Sequence, residues 1–265
     1  MNLVDVHSHL NHKQFQDRLD SVIDNARKAG LKAIIVAGVN VPTNREVLQM
    51  AAKYPDIVKC SLGIYPIDAL NIEIPALDEV GLTRNPEPFD VDKELAFIKT
   101  QKDKIIAIGE VGMDFKYLRE HEKKQRENFQ KVIDFAEKIK KPVVVHSRRA
   151  EVECVEMLES SKLKNVVLHC FEGKKSLIKK AEDLGYCFSI PAIAKRLQHF
   201  QTVTEMVSIT QLLTETDSPW LSPELGRFSE PADVKGTVEL MAKIKGMTFE
   251  ETANNIFMNF QRLFF

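Results

Sequence analysis

Short apolar, β-branched runs alternate with longer charged stretches along the whole chain. The runs are "LVDV" at 3–6, "KAIIVAG" at 32–38, "IVKCSLGI" at 57–64 and "KIIAIGE" at 104–110. They continue with "PVVVH" at 142–146, "NVVLHC" at 165–170, "YCFSI" at 186–190 and "ITQLLTETD" at 209–217. Runs this short and this rich in Val and Ile suit strands buried on both faces. The segments between them, typified by "RENFQKVIDFAEKIK" at 126–140, repeat apolar residues every three or four positions and predict amphipathic helices. Eight strands, each followed by helical material, predict an α/β fold, a parallel (β/α)8 barrel of TIM type. The competing arrangement is an open doubly wound sheet, but no glycine-rich phosphate turn is present.

The rhythm is interrupted at "IYPIDALNIEIPALDEVGLTRNPEPFD" (64–90), rich in proline and turn residues. It predicts a long loop on the barrel face, because the alternation resumes immediately afterwards. The closing "IFMNFQRLFF" (256–265) predicts a helix packed on the barrel, with a dimer contact as the other option. With no internal repeat, residues 1–265 are expected to form a single barrel domain.

Composition changes this picture little. Of 265 residues, 44% are hydrophobic and 28% charged, enough for a sizeable core. A net charge of -1 removes any general attraction to nucleic acid or anionic membrane, so an anionic substrate needs local positive charge. No window approaches a membrane span, and no targeting segment precedes the first strand. Cys60, Cys154, Cys170 and Cys187 are dispersed and form no CxxC pair. They predict reduced thiols of a reducing compartment, and together with the missing targeting and membrane segments the expectation is a cytoplasmic protein with no membrane association and no obligate protein partner evident.

The chemistry lies where the runs end. His7 and His9 are one residue apart and share one side of a strand. Glu110 ends the fourth run, His146 the fifth, His169 stands near the end of the sixth, and Asp217 ends the eighth. In a (β/α)8 barrel these ends converge on one face, where catalysis occurs. Four imidazoles and two carboxylates suit divalent ions, with zinc, magnesium, manganese and nickel as candidates. Six donors exceed what one tetrahedral ion takes and fit two ions sharing a carboxylate, an arrangement that activates water and clamps attacking and leaving oxygens. Each residue alone has a plainer explanation: a single histidine is usually a core or rim residue, Asp217 can cap a turn, and Glu110 can pair with a cation. The coincidence decides, since four of seven histidines stand at strand ends. His12, His121 and His199 do not, and receive no role. A purely structural zinc site would be closed, mostly by cysteines, and none is among the six.

A phosphate-bearing substrate would need donors beside the metals. Arg148, two residues after His146, can grip phosphate bidentately. Arg149, Lys174, Lys175, Lys195 and Arg227 can rim the same face. Phe115, Tyr117, Phe171 and Trp220 are candidates for stacking on bases, with Trp220 the best placed.

The segments "DVHSHL" (5–10), "IGEVGMDF" (108–115), "PVVVHSRRA" (142–150), "LHCFEG" (168–173) and "TETDSP" (214–219) resemble the TatD-type metal-dependent deoxyribonucleases, within the amidohydrolase-like barrels. They fall in that family's order and span nearly the whole chain. The resemblance implies a (β/α) barrel that hydrolyses DNA phosphodiester bonds with two divalent metal ions. It implies that His7, His9 and Asp217 hold one ion, His146 and His169 the other, and Glu110 bridges. Asp217 would also orient or deprotonate the attacking water. The chain departs from the family pattern at "GIYP", where Tyr65 replaces a histidine thought to face substrate, at "GMD" for "GLD", and at "SEP" (229–231) for "NEP".

The first reading is therefore a nuclease acting on DNA or a small phosphodiester, by 3′–5′ exonuclease action or DNA-end processing. The alternative is a bimetal hydrolase of an amide, ester or lactone, because the same activated water attacks carbon and phosphorus alike. Basic residues and the family motifs favour phosphorus; Tyr65 leaves room for carbon.

Overall fold

The computed structural model describes residues 1–72 and 87–265. The chain begins with β1 (Leu3–Ser8), α1 (Leu19–Ala29), β2 (Leu31–Ala37), α2 (Val41–Lys53) and β3 (Val58–Leu62). It continues through α3 (Val91–Thr100), β4 (Ala107–Asp114), α4 (Phe115–Leu118), α5 (Glu122–Ile139) and β5 (Val143–Arg148). Then follow α6 (Glu151–Glu159), β6 (Val166–His169), α7 (Lys175–Asp183), β7 (Cys187–Pro191) and α8 (Gln198–Met206). The last elements are β8 (Leu212–Glu215), α9 (Val234–Lys245) and α10 (Phe249–Phe264). All eight strands join one parallel sheet in sequence order, the expected (β/α)8 barrel.

The seam between β1 and β8 is closed by backbone and side-chain hydrogen bonds together. Ser8 and Ser218 form a lone parallel bridge, Asp217 N–H donates to His7 O at 2.9 Å, and His9 N–H donates to Ser218 O at 2.8 Å. Below them the Thr214 hydroxyl donates to Val4 O at 2.6 Å. The buried Asp5 carboxyl accepts from Thr216 N (3.0 Å) and Thr216 Oγ1 (2.6 Å). Burial pushes the Asp5 carboxyl well above the usual range despite those hydrogen bonds.

Local rules explain the elements. Helix α2 opens with a capping box between Asn40 and Thr43, and α10 with one between Thr248 and Glu251. Helix α5 turns Phe129, Val132, Ile133, Ala136 and Ile139 inward, the stripe its spacing predicts. The closing helix α10 packs on the barrel: Ile256, Phe260, Leu263 and Phe264 are buried, and the Asn259 amide donates to Leu212 O at 2.8 Å. Met258 and Phe265 stay exposed. Among the described residues no helix is long and apolar enough to cross a membrane.

Several boundaries differ from the expected ones, and β5 continues past His146 to Arg148. The eighth run shortens to β8, because Ile209–Gln211 forms a 3-10 turn and Asp217 (φ 52°) takes the chain out of the strand. The fourth run lengthens, extending past Glu110 to Asp114. Of the expected loop at 64–90, residues 73–86 lie outside the described residues, and a 3-10 turn at Asp68–Leu70 precedes them.

Two register slips matter for the site. Asp5 pairs with Ile34 and Ser8 with Val36, so β1 carries one extra residue around His7. Ile108 pairs with Val143 and Val111 with Val145, so β4 carries one around Glu110. Such bulges re-aim side chains next to active sites. Small residues make room: a Cβ on Gly63 would lie 2.2 Å from Glu110 N, and one on Gly112 (φ 136°) only 2.0 Å from His146 O.

Candidate metal centre

The four imidazoles and two carboxylates singled out above meet at the C-terminal mouth of the barrel. His7 sits in β1 and His9 just beyond it, and their Nε2 atoms are 3.1 Å apart. Glu110 Oε2 lies 3.4 Å from each of these nitrogens. Asp217 Oδ1 lies 3.6 Å from His7 Nε2 and 3.4 Å from His9 Nε2. The second oxygen of Glu110, Oε1, is 2.8 Å from His146 Nδ1 and 3.4 Å from His169 Nε2. The rings are layered, with centroids 4.0 Å apart for His7 and His169 and 5.8 Å for His146 and His169.

These spacings fit metal ligands. Bonds of about 2.0–2.1 Å to a tetrahedral ion put neighbouring donors roughly 3.4 Å apart. The five distances among His7, His9, Glu110 Oε2 and Asp217 run from 3.1 to 3.6 Å. Two compact donor groups result, His7 with His9 and Asp217, and His7 with Glu110 and His169. His146 joins the centre through Glu110 and by stacking on His169, and turns its other nitrogen, Nε2, to Asp114 at 3.1 Å.

Electrostatics describe the same fit. Burial opposes ionisation of Glu110, yet His146, His169, His7 and His9 hold its carboxyl well below the usual range. Asp217 is likewise held low against burial, chiefly by its hydrogen bond to His9. Burial works against the cationic form of His9, but Asp217 and Glu110 outweigh it and raise that imidazole to about 9. His146 is raised to about 9 in the same way, by Asp114 and Glu110. His7 is lowered, by burial and then by the charge of His169. Anionic oxygens facing imidazole nitrogens need positive charge between them, and either protons or divalent cations supply it.

Asp5, Asp114 and Glu215 belong to the site and were not foreseen. Glu215 Oε2 lies 3.2 Å from His169 Nδ1, while Asp5 Oδ1 accepts the backbone N–H of His7 at 3.2 Å. Period-two alternation could have found them, since Asp5 stands two residues before His7, Glu215 two before Asp217, and Asp114 four after Glu110.

The substrate-facing candidates divide. Arg148 ends β5, half-buried, and its charge is felt at Tyr65, Asp114 and Cys170. The Trp220 ring stands edge-on to His9 (5.2 Å) and to His12 (5.3 Å), at the lip of the centre. Tyr65 is buried behind His146, ring edge-on at 5.0 Å, with its hydroxyl donated to Asp114 Oδ2 at 3.1 Å. Phe115 and Phe171 are also buried, contrary to the stacking role considered for them, because both fill the apolar core beneath the loops. The side chain of Tyr117 lies outside what is described. Lys174, Lys175 and Lys195 are exposed, whereas Arg227 is tied to Asp233 (2.7 Å) and Glu224 (3.1 Å).

The family model for TatD related DNase matches residues 4–265. The chain belongs to this family. Among TatD-family relatives, the deoxyribonuclease TATDN3 of Homo sapiens is 32% identical over 268 residues, covering 100% of this chain and 95% of that protein. The uncharacterized metal-dependent hydrolase YabD of Bacillus subtilis is 30% identical over 270 residues, covering 99% and 98%. The crystal structure of YJJV, a TatD homologue of Escherichia coli, shares the fold with a TM-score of 0.86 at 20% identity, covering 99% of this chain and 97% of that one. This TatD-family chain is a metal-dependent hydrolase acting on ester bonds, and it uses divalent metal.

Proposed function

We propose that the chain works as one barrel domain, a two-metal deoxyribonuclease that trims or nicks DNA near single-stranded or damaged ends. The observation that carries this reading is the double-sided Glu110, with Oε2 3.4 Å from His7 and His9 and Oε1 2.8 Å from His146 and 3.4 Å from His169. His7, His9, Asp217 and Glu110 Oε2 would hold one ion; His146, His169 and Glu110 Oε1 would hold the other. Divalent ions supply Lewis acidity there, acidifying the attacking water and neutralising charge on the phosphate. Four imidazoles make zinc, manganese or nickel better matches than magnesium, which prefers oxygen.

The protein's own groups do the rest. Asp217 directs Oδ1 at His7 and His9, which leaves Oδ2 to orient the water and take its proton. Arg148 grips the non-bridging phosphate oxygens, and Trp220 stacks on a base beside the scissile bond. The net charge of -1 makes local donors necessary. Relatives at about this identity carry deoxyribonuclease names, so cleavage of an amide, ester or lactone is not favoured. Free thiols on all four cysteines, three of them buried, support the cytoplasm as the compartment.

The test is metal-stripped protein reloaded separately with zinc, manganese, nickel or magnesium. Each form is assayed on end-labelled single-stranded DNA, a chromogenic phosphodiester, and amide and lactone substrates. Chelation silences cleavage and a transition metal restores it on both phosphodiesters, with the labelled end reporting polarity. Turnover of the lactone or amide with intact DNA overturns the reading. Arg148→Ala lowers kcat/KM on DNA about ten- to a hundredfold, the loss of a charge-assisted phosphate contact. A rate within twofold of the parent removes Arg148 from the site.

A further inference from the structure

Two buried acids beside the centre have no part in that scheme, and each has a hydroxyl on it. Asp114 Oδ2 lies 3.1 Å from His146 Nε2 and accepts the Tyr65 hydroxyl at 3.1 Å. Its Oδ1 accepts Lys116 N–H at 2.9 Å. Gln125 clamps its backbone from both sides, accepting Asp114 N–H at 2.7 Å and donating to Asp114 O at 2.8 Å. Across the mouth, Glu215 Oε2 lies 3.2 Å from His169 Nδ1 and accepts the Ser189 hydroxyl at 2.6 Å. Its Oε1 accepts Cys170 N–H at 2.9 Å. The construction is the same twice: one carboxylate oxygen takes an imidazole and a hydroxyl, while a backbone N–H anchors the other oxygen.

A carboxylate only accepts, so the imidazole nitrogen facing it carries the proton. A divalent cation taking the place of the protons between these rings and Glu110 would then meet a lone pair on the nitrogen turned to Glu110, Nδ1 in His146 and Nε2 in His169. With cations bound, the two histidines would hold opposite tautomers, each chosen by its own acid. Among the described residues no hydrogen bond reaches Nδ1 of His7 or His9, so the other half of the centre lacks this device.

We propose that Asp114 with Tyr65, and Glu215 with Ser189, are positioning pairs that fix the tautomers of His146 and His169 and prearrange that half of the centre for its cation. Tyr65, this chain's departure from the family histidine, then serves the centre from behind. The proposal rests on the two-ion reading above.

The experiment is calorimetric titration of zinc into the metal-stripped full-length chain, with a thermal melt of every metal-free variant. Asp217→Ala and His169→Ala identify the two binding events by removing one each. Asp114→Asn and Glu215→Gln then weaken the event lost in His169→Ala by about ten- to a hundredfold, and leave the other within about threefold. Tyr65→Phe and Ser189→Ala remove only a hydroxyl, keep the parent melt, and weaken that same event by about threefold or more. Equal weakening of both events, weakening confined to the other event, or unchanged affinities in the hydroxyl variants overturns the proposal. Saturation of the unaltered chain at one equivalent overturns the two-ion reading and the proposal together, a failure set apart by its stoichiometry.

Discussion

Glu110→Ala lowers the rate of DNA hydrolysis by about ten-thousandfold or more, roughly 5.5 kcal/mol of barrier. The residue is expected to matter this much because it touches all four imidazoles, two with each oxygen. Alanine leaves His7, His9, His146 and His169 facing one another with no anion between them. Their mutual repulsion then opposes the arrangement that the carboxylate imposes, as the effect of His169 on His7 already indicates. Both cation positions lose a ligand at once, so metal content measured by mass spectrometry falls together with rate. The barrel itself survives, because β4 keeps its ladder with β5 and the flanking Ile108 and Val111 stay buried. Glu110→Gln is the milder change, keeping shape and losing charge, and it should fall between parent and alanine. A Glu110→Ala enzyme that retains two ions and a rate within tenfold of the parent refutes the shared-carboxylate centre.

The barrel and its six candidate ligands could be read from the chain because both depend on one short-range property, the alternation of buried strands with amphipathic helices. Once the strand ends were placed, convergence of His7, His9, Glu110, His146, His169 and Asp217 followed from topology, without any contact being known. What stayed hidden depends on details that periodicity does not carry. Strand β4 runs on past Glu110 to Asp114 with an extra residue around Glu110, and nothing in "IGEVGMDF" marks where a strand ends or a ladder slips. Tyr65 follows β3 on the catalytic side, which suggests a residue facing substrate. Its hydroxyl instead finds Asp114, and its ring packs with Val39, Ile67, Leu70 and Leu118. Phe115 and Phe171 mislead for the same reason: being on the right side of a barrel does not say whether a ring faces solvent or core. Asp5, Asp114 and Glu215 were within reach, because alternation puts them on the ligand side, but an acid that never touches a cation resembles any other buried hydrogen-bonding partner.

Asp217→Asn separates the two duties proposed for the carboxylate, and kcat on DNA should fall about a thousandfold while KM stays within a few-fold. The substitution is nearly isosteric, and the left-handed backbone at this position (φ 52°) is one that Asn adopts readily. The hydrogen bond from Asp217 N–H to His7 O is untouched, so the β1–β8 seam closes as before and the melting temperature moves little. An amide oxygen still points at His7 and His9 and ligates weakly, so saturating metal restores occupancy without restoring a base. The Asp217 side chain is 18% exposed, against 6% for Glu110 and 1% for His7, making it the most open carboxylate of the centre and the one positioned to meet incoming water. Rates are therefore compared at metal concentrations where further additions change nothing. If kcat recovers to within tenfold of the parent under those conditions, Asp217 acts as a ligand alone and the proton must leave by another group. If it does not recover, ligation and proton transfer reside in the same side chain, with Oδ1 toward the histidines and Oδ2 toward the water.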